Sequence, residues 1–255
     1  ATMASPRLPS VYNLVTFEAI GSTNDEARAL ARQGEEIAPD GTLVWALEQT
    51  AGRGRRGREW HSPKGNLYIS LILRPEVPTK DAAQLSFVAA LGLYDALGTL
   101  SDPGHQIHLK WPNDILLQDQ KVAGLLLETE SSGEDHADWV IVGLGLNVAS
   151  FPKDMPFPAT SLRAENWAVS VEDTLQAFSR SFLGWANRWV NDGFAPIRQT
   201  WLMRAKGLNK PIEVRLENET LKGTFIDLDE DGALLLDQVG KMRRIAAGDV
   251  YFSEG

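Results

Sequence analysis

Short apolar runs and amphipathic stretches alternate over the first four-fifths of the chain, and short strands alone follow. Residues 1–10 look loose, and residues 11–20 read as a strand. Ser22-Thr23-Asn24-Asp25-Glu26 then opens a helix, with capping-box spacing between Thr23 and Glu26 and a stop at Gly34. Residues 42–47 and 67–73 are apolar strands, separated by a polar loop over 49–65 that is rich in Gly and Arg. Residues 81–100 carry Leu85, Val88, Ala89 and Ala96 near helical spacing.

Residues 107–111 alternate, with Ile107, Leu109 and Trp111 on one face and His108 and Lys110 on the other. A turn at Pro112-Asn113-Asp114 leads into a hairpin of 115–117 and 122–128, and 139–148 is another strand. A proline-containing connection over 150–168 precedes a long helix capped by Ser170. Its Phe178, Phe182, Trp185 and Trp189 form one stripe, which reads as core packing. A further helix covers 196–205. After a boundary at 206–211 come short strands at 211–216, 222–228, 233–237, 241–246 and 249–252, the spacing of a small β-barrel.

The 255 residues, 43% hydrophobic, suit one large domain with a small module. No apolar run reaches the roughly 18 residues that span a bilayer, and the N-terminus has no signal-peptide pattern. No membrane association is therefore expected, and with no cysteine the cytoplasm is the default compartment. The missing thiols exclude disulfides, thiolate metal sites and cysteine nucleophiles. A net charge of −9 argues against nucleic acid as a partner, because such binders carry a basic surplus.

Against that acidic background, Gly52-Arg53-Gly54-Arg55-Arg56-Gly57-Arg58 packs four arginines into seven residues. Guanidinium groups fork onto carboxylate or phosphate oxygens, so this loop suits a polyphosphate or acyl-phosphate. Charges of one sign repel unless an anion joins them, which weighs against a merely solvated loop. The same string matches G-x-G-x-x-G, but Glu59-Trp60-His61-Ser62-Pro63 follows where the dinucleotide fingerprint needs a helix, so a Rossmann site is rejected.

Lys110-Trp111-Pro112-Asn113-Asp114 is by composition an ordinary turn, although its polar residues sit near a strand end. Lys121 opens the apolar run Val122-Ala123-Gly124-Leu125-Leu126-Leu127-Glu128. A turn lysine in water and a lysine carried inward toward an anion both fit. In Gly143-Leu144-Gly145-Leu146-Asn147 the glycines suit a flat ligand, a bulge or a tight helix–sheet contact. The four histidines show no ligand spacing.

Taken together, Ser22-Thr23-Asn24, Glu48-Gln49-Thr50-Ala51 with the arginine segment, Gly65-Asn66-Leu67-Tyr68, KWPND, KVAGLLLE and GLGLN resemble the biotin–protein ligase family in that order. The resemblance implies a class II synthetase-like α+β fold, a mixed and largely antiparallel sheet flanked by helices, over 1–208. It implies an SH3-like barrel over 209–255. The implied reaction turns biotin and ATP, with Mg²⁺, into biotinyl-5′-AMP and then biotinylates a lysine of the biotin carboxyl carrier protein of acetyl-CoA carboxylase. Biotin's carboxylate is already ionised at neutral pH, so charge neutralisation and alignment matter more than a general base.

By motif, the resemblance places Ser22, Thr23, Asn24, Gln49, Gly52 and Arg53 on biotin, with Gly124, Gly143 and Gly145 leaving room beside it. It makes Lys121 the main electrostatic catalyst between carboxyl and α-phosphate, helped by Arg55 and by Asp114 as an Mg²⁺ contact. Arg53, Gly54, Arg55, Arg58, Lys110, Asn113 and Asn147 are assigned to the nucleotide, with Trp60 on the adenine side. The arginine loop is expected to order around the adenylate. A homodimer is compatible with the resemblance. About ten residues precede the first strand, so no transcriptional repressor role is expected. Lipoate ligases and octanoyltransferases are the nearest rivals. The octanoyltransferase cysteine and the lipoate ligase glycine-rich segment are both missing here.

Overall fold

The computed structural model describes residues 5–133 and 135–253. Residues 1–4 of the stretch read as loose lie outside these. Residues near Arg7 are docked: its backbone N–H donates to Gln176 at 2.7 Å, and Leu8 packs against the core.

Seven strands form one sheet in the order β1-β2-β3-β7-β6-β5-β4. They are β1 (Asn13–Ile20), β2 (Thr42–Gln49), β3 (Leu67–Leu73), β4 (Ile107–Lys110), β5 (Asp114–Leu117), β6 (Gln120–Glu130) and β7 (Trp139–Leu146). Only β1 and β2 run parallel; every other pair is antiparallel. Helix α1 (Thr23–Arg32) crosses between β1 and β2. Its N-cap is Ser22, whose hydroxyl accepts from the Asp25 N–H, so the expected Thr23–Glu26 cap stands one residue too late.

Helix α2 (Gln84–Leu100) begins three residues later than the sequence suggests, because Thr79–Asp81 winds as a 3₁₀ turn. The stretch Thr79–Leu100 is long and apolar enough to cross a membrane, contrary to the run-length reading, but two-thirds of it is buried inside the fold. A helix apolar on all sides is a core helix in a protein of this kind. Helices α3 (Val171–Asp192) and α4 (Phe194–Arg204) pack around it, and α3 starts with a full capping box from Ser170 and Asp173. Phe178, Phe182 and Trp189 are buried, as the stripe predicts.

The C-terminal strands β8 (Pro211–Arg215), β9 (Thr220–Leu228), β10 (Leu234–Gln238), β11 (Lys241–Ile245) and β12 (Asp249–Phe252) form a five-stranded antiparallel sheet ordered β11-β10-β9-β8-β12. Its inner residues Ile212, Val214, Phe225, Leu234 and Leu236 join the same apolar core as α2 and the large sheet. The Trp111 indole N–H donates to the Gly232 carbonyl at 3.0 Å, and Phe87 packs directly on Gly232.

On β7, strict alternation divides the two faces. Val140, Val142, Leu144 and Leu146 belong to the core around α2, whereas Ile141 packs with Ala27, Ala31, Val44 and Ile72 in the smaller cluster under α1. Gly143 and Gly145 share the face of Ile141 by the two-residue period.

Candidate functional site

One register row across the large sheet carries the site. Lys110 pairs with Asp114, Asp114 with Gly124, Gly124 with Gly145, and Gly145 with Tyr68. Paired residues project on the same face, so two charged side chains lie beside a two-glycine floor. Lys121 is three residues from Gly124 and belongs on the opposite face of a regular strand. The register shifts between Ile115 and Leu116, so Leu116 pairs with Lys121, and this bulge brings Lys121 onto the face of Asp114.

The cavity above this row encloses about 340 Å³. One end is polar and uncharged, built from Ser22, Thr23, Asn24 and Gln49 at the α1 N-terminus and the end of β2. Gln49 Oε1 accepts from the Thr23 N–H at 2.8 Å, and its Nε2 donates to Ser62 at 2.9 Å. Asn24 Nδ2 donates to Glu128 at 2.9 Å, and Ser70 donates to Asn24 Oδ1. Gly52 lies behind this end, off the cavity wall; a Cβ there would strike Ser62 and Trp60. It therefore leaves no room for a side chain, and its carbonyl accepts from the Trp60 N–H at 2.9 Å.

The other end is cationic. Lys121 Nζ lies 3.1 Å from Asp114 Oδ1, and Lys110 Nζ lies 3.9 Å from Oδ2. Phe157 and Tyr251 flank Lys110 at 5.5 and 5.6 Å from their ring centres, and Lys121 stands 4.8 Å from Phe157 and 5.2 Å from Trp60. Burial lowers the Lys110 ammonium below the ordinary lysine range despite Asp114, and Lys121 and Arg55 add to that push.

The arginine loop closes the side. Arg55–Gly57 is a 3₁₀ turn with Arg56 left-handed at φ 59°, and no α-helix follows the glycines before Gln84 among the described residues. Arg53 donates to Asp25 at 2.7 Å and to Glu128 at 2.8 Å. Arg28 also donates to Glu128. Burial raises the Glu128 carboxyl, but bonds from Asn24 and Arg53 and the charges of Arg53 and Arg28 outweigh it, holding the carboxyl below its usual range. Arg55, Arg56 and Arg58 gather around Asp249 of β12.

Ser22, Thr23, Asn24, Gln49, Arg53, Gly54, Arg55, Arg58, Trp60, Lys110, Asp114, Lys121, Gly124, Gly143 and Gly145 thus all face one cavity. Asn113 and Asn147 do not. Asn147 is buried, its Nδ2 donating to the Thr160 carbonyl at 3.1 Å, and among the described residues only the Asn113 backbone is engaged, accepting from the Leu125 N–H at 2.9 Å. The room expected beside the glycines is already taken. Asn24 abuts Gly143, and Trp60 covers Gly124 and Gly145. Trp60 therefore roofs the floor between the two ends, and its buried indole N–H has no partner among the described residues.

Five contributors escaped the sequence reading: Glu128 as a charge hub, Ser70 beneath Asn24, Phe157 from the 150–168 connection, and Asp249 and Tyr251 from the C-terminal sheet. Phe157, an aromatic between prolines, was the one local signal. Among the described residues no three His, Asp or Glu side chains cluster to hold a metal. Asp114, a lone carboxylate paired with Lys121 and Lys110, offers a hard cation such as Mg²⁺ one oxygen-bearing side chain, which fits an ion that brings its other ligands with it.

The Biotin/lipoate A/B protein ligase family matches residues 8–203, and the Biotin protein ligase C terminal domain matches residues 207–253. A biotin–[acetyl-CoA-carboxylase] ligase of Paracoccus denitrificans is 44% identical over 237 residues, covering 91% of this chain and 97% of the relative. The bifunctional ligase/repressor BirA of Bacillus subtilis is 35% identical, over 93% of this chain and 73% of the relative. The biotin protein ligase of Aquifex aeolicus, solved in complex with biotin and ATP, superposes with a TM-score of 0.77 at 27% identity, covering 94% of this chain and 97% of that one. The register row, the arginine loop and these matches over nearly the whole chain agree: the chain belongs to the biotin protein ligase family.

Proposed function

We propose that this chain is a biotin–[acetyl-CoA-carboxylase] ligase, which activates biotin with ATP and transfers it to a lysine of a biotin carboxyl carrier protein. The observation that carries the reading is the two-ended cavity. A neutral hydrogen-bonding end suits a ureido ring, and a cationic end suits a carboxylate meeting a triphosphate. We read 1–208 as the biotin/ATP-binding unit and 209–255 as the barrel that completes its wall.

In the first step a biotin carboxylate oxygen attacks the α-phosphorus of ATP and pyrophosphate leaves. Ser22, Thr23 and Gln49 hold the ring, and Trp60 excludes water above the floor. Lys121, held by Asp114, sits where the two anions converge and offsets their repulsion. Arg55 and Arg58 take the leaving phosphates. Asp114 would hold a Mg²⁺ ion that accompanies ATP, and such an ion would supply Lewis-acid neutralisation of the phosphates. In the second step the acceptor amine, once deprotonated, attacks the acyl carbon and AMP leaves.

Biotin-dependent pyrophosphate release from ATP and Mg²⁺ tests this, with lipoate and octanoate as controls. Release with biotin is the expected result. Release with lipoate alone would move the chain to the lipoate branch of the family.

A further inference from the structure

Four guanidinium groups in one short loop need an anion among them. Here the protein supplies it. Arg53 turns to Asp25 and Glu128, and the other three arginines share one carboxylate, Asp249, at the start of β12. Asp249 Oδ1 accepts from Arg55 at 2.9 Å and Oδ2 from Arg58 at 2.6 Å, and Arg56 Nη1 lies 3.6 Å from Oδ2. The Gly248 carbonyl also accepts from Arg55, at 3.4 Å. The Asp249 side chain is 13% exposed, against 21%, 35% and 53% for Arg55, Arg56 and Arg58, so the carboxylate is the most deeply held partner of the cluster. Burial raises its carboxyl, and the Arg58 bond with the charges of Arg55, Arg58 and Arg56 outweighs this and keeps it ionised.

One negative charge among three guanidinium groups leaves the cluster strongly cationic, so further anions are still attracted. The forks of Arg55 and Arg58, however, already point at Asp249. A phosphate chain that takes these arginines has to displace a carboxylate first. The cost of that displacement is the same for any ligand that makes it. Only a ligand with several anionic oxygens in reach of two or three forks returns it.

We propose that Asp249 is an internal stand-in for phosphate, exchanged by the arginine loop for the polyphosphate of ATP, so that this carboxylate restrains nucleotide affinity and only a polyphosphate draws the loop away from it. The proposal rests on the reading of the cavity as a biotin and ATP site. AMP, left with one phosphate, does not hold the arginines against Asp249, and the loop returns to the carboxylate when pyrophosphate departs.

Asp249→Asn keeps the shape and removes the charge. Trypsin, which cuts after arginine, is applied to the intact chain without nucleotide. Cleavage within 53–58 is expected to quicken about threefold to tenfold in the variant, the effect of losing shared ion pairs near a surface. Calorimetry with ATP, pyrophosphate and AMP, in the presence of biotin, is expected to show ATP and pyrophosphate bound more tightly, and AMP improved less than either, because AMP does not displace Asp249 in the parent. Asp249→Glu, which keeps the charge, is expected to stay within about twofold of the parent in both assays. Cleavage at the parent rate overturns the clamp. Unchanged or weaker ATP and pyrophosphate binding in Asp249→Asn overturns the exchange. A parent chain that binds no ATP overturns the reading of the site and the exchange with it, while the tryptic result, free of nucleotide, still decides the clamp.

Discussion

The Trp60 indole covers Gly145 so closely that a Cβ on residue 145 would lie 2.5 Å from Nε1. Gly124 meets the same ring, its Cβ position 3.0 Å from Cζ3. A roof that rests on two glycines is displaced by one methyl group, because packed interiors do not absorb it. Gly145→Ala is therefore expected to weaken biotin binding by about tenfold or more, equivalent to roughly 1.4 kcal/mol. Titration with biotin, followed by calorimetry, measures this. Biotin affinity equal to the parent's would show that the roof does not contribute to the pocket.

Lys121 owes its place to a bulge and its orientation to Asp114. Lys121→Ala removes the charge at the meeting point of the two substrates and leaves Asp114 with Lys110 alone, 3.9 Å away. Single-turnover formation of biotinyl-AMP is expected to fall by about 10²-fold or more, the scale seen when one preorganised donor is lost. The circular dichroism spectrum is expected to be unchanged. Near-normal adenylation in a folded variant would remove Lys121 from the mechanism.

Glu128 gives a pH-dependent prediction. Its folded carboxyl is held below the ordinary range, so it adds stability above the unfolded value near 4.3, and that stability is lost as pH falls through the lower folded value. Glu128→Gln has no carboxyl to titrate. Its melting temperature is expected to drop relative to the parent at pH 7, and the gap is expected to narrow as pH falls below about 4.3. A constant gap across that window would mean that the loss is one of packing alone.

Lys110 has its ammonium lowered by burial, with Lys121 and Arg55 pressing the same way. Such an amine gives up its proton at lower pH and turns nucleophilic earlier. Brief treatment with cyanate at pH 8 is expected to carbamylate Lys110 ahead of exposed lysines, and ATP with biotin is expected to protect it. Peptide mass spectrometry reads both effects. Labelling in simple proportion to exposure would contradict the assignment.

The local signals were legible where one element determines them. The alternation in β7, the Ser170 cap and the stripe of Phe178, Phe182 and Trp189 follow from periods of two and 3.6 residues. The strand positions of the C-terminal sheet follow from its turns. The motif segments likewise named most of the cavity wall, because each segment is contiguous. What stayed hidden is what joins distant segments. Glu128 and Arg53 are 75 residues apart, and Asp249 and Arg55 are 194 apart. No local period marks such pairs. The bulge that turns Lys121 inward is equally silent, since it depends on the register against β5. Asn147 is a case the sequence does not settle: it stands inside a glycine motif that lines the cavity, and its Nδ2 donates to the Thr160 backbone.

The bond from Trp111 to the Gly232 carbonyl, and the Phe87 ring on Gly232, tie the two sheets through residues that do not line the cavity. Phe87 in turn meets Phe194 and Trp201 edge-on, at ring separations of 5.6 and 5.4 Å. The carboxy-terminal fifth of the chain is thus not a detachable accessory. A chimera that grafts this segment from a relative inherits an aromatic socket cut for another plug. Crossover points between 205 and 211 look convenient on paper, yet they separate partners that have to match. Viable recombinants are those that exchange Phe87, Trp111 and the turn at Gly232 as one heritable block.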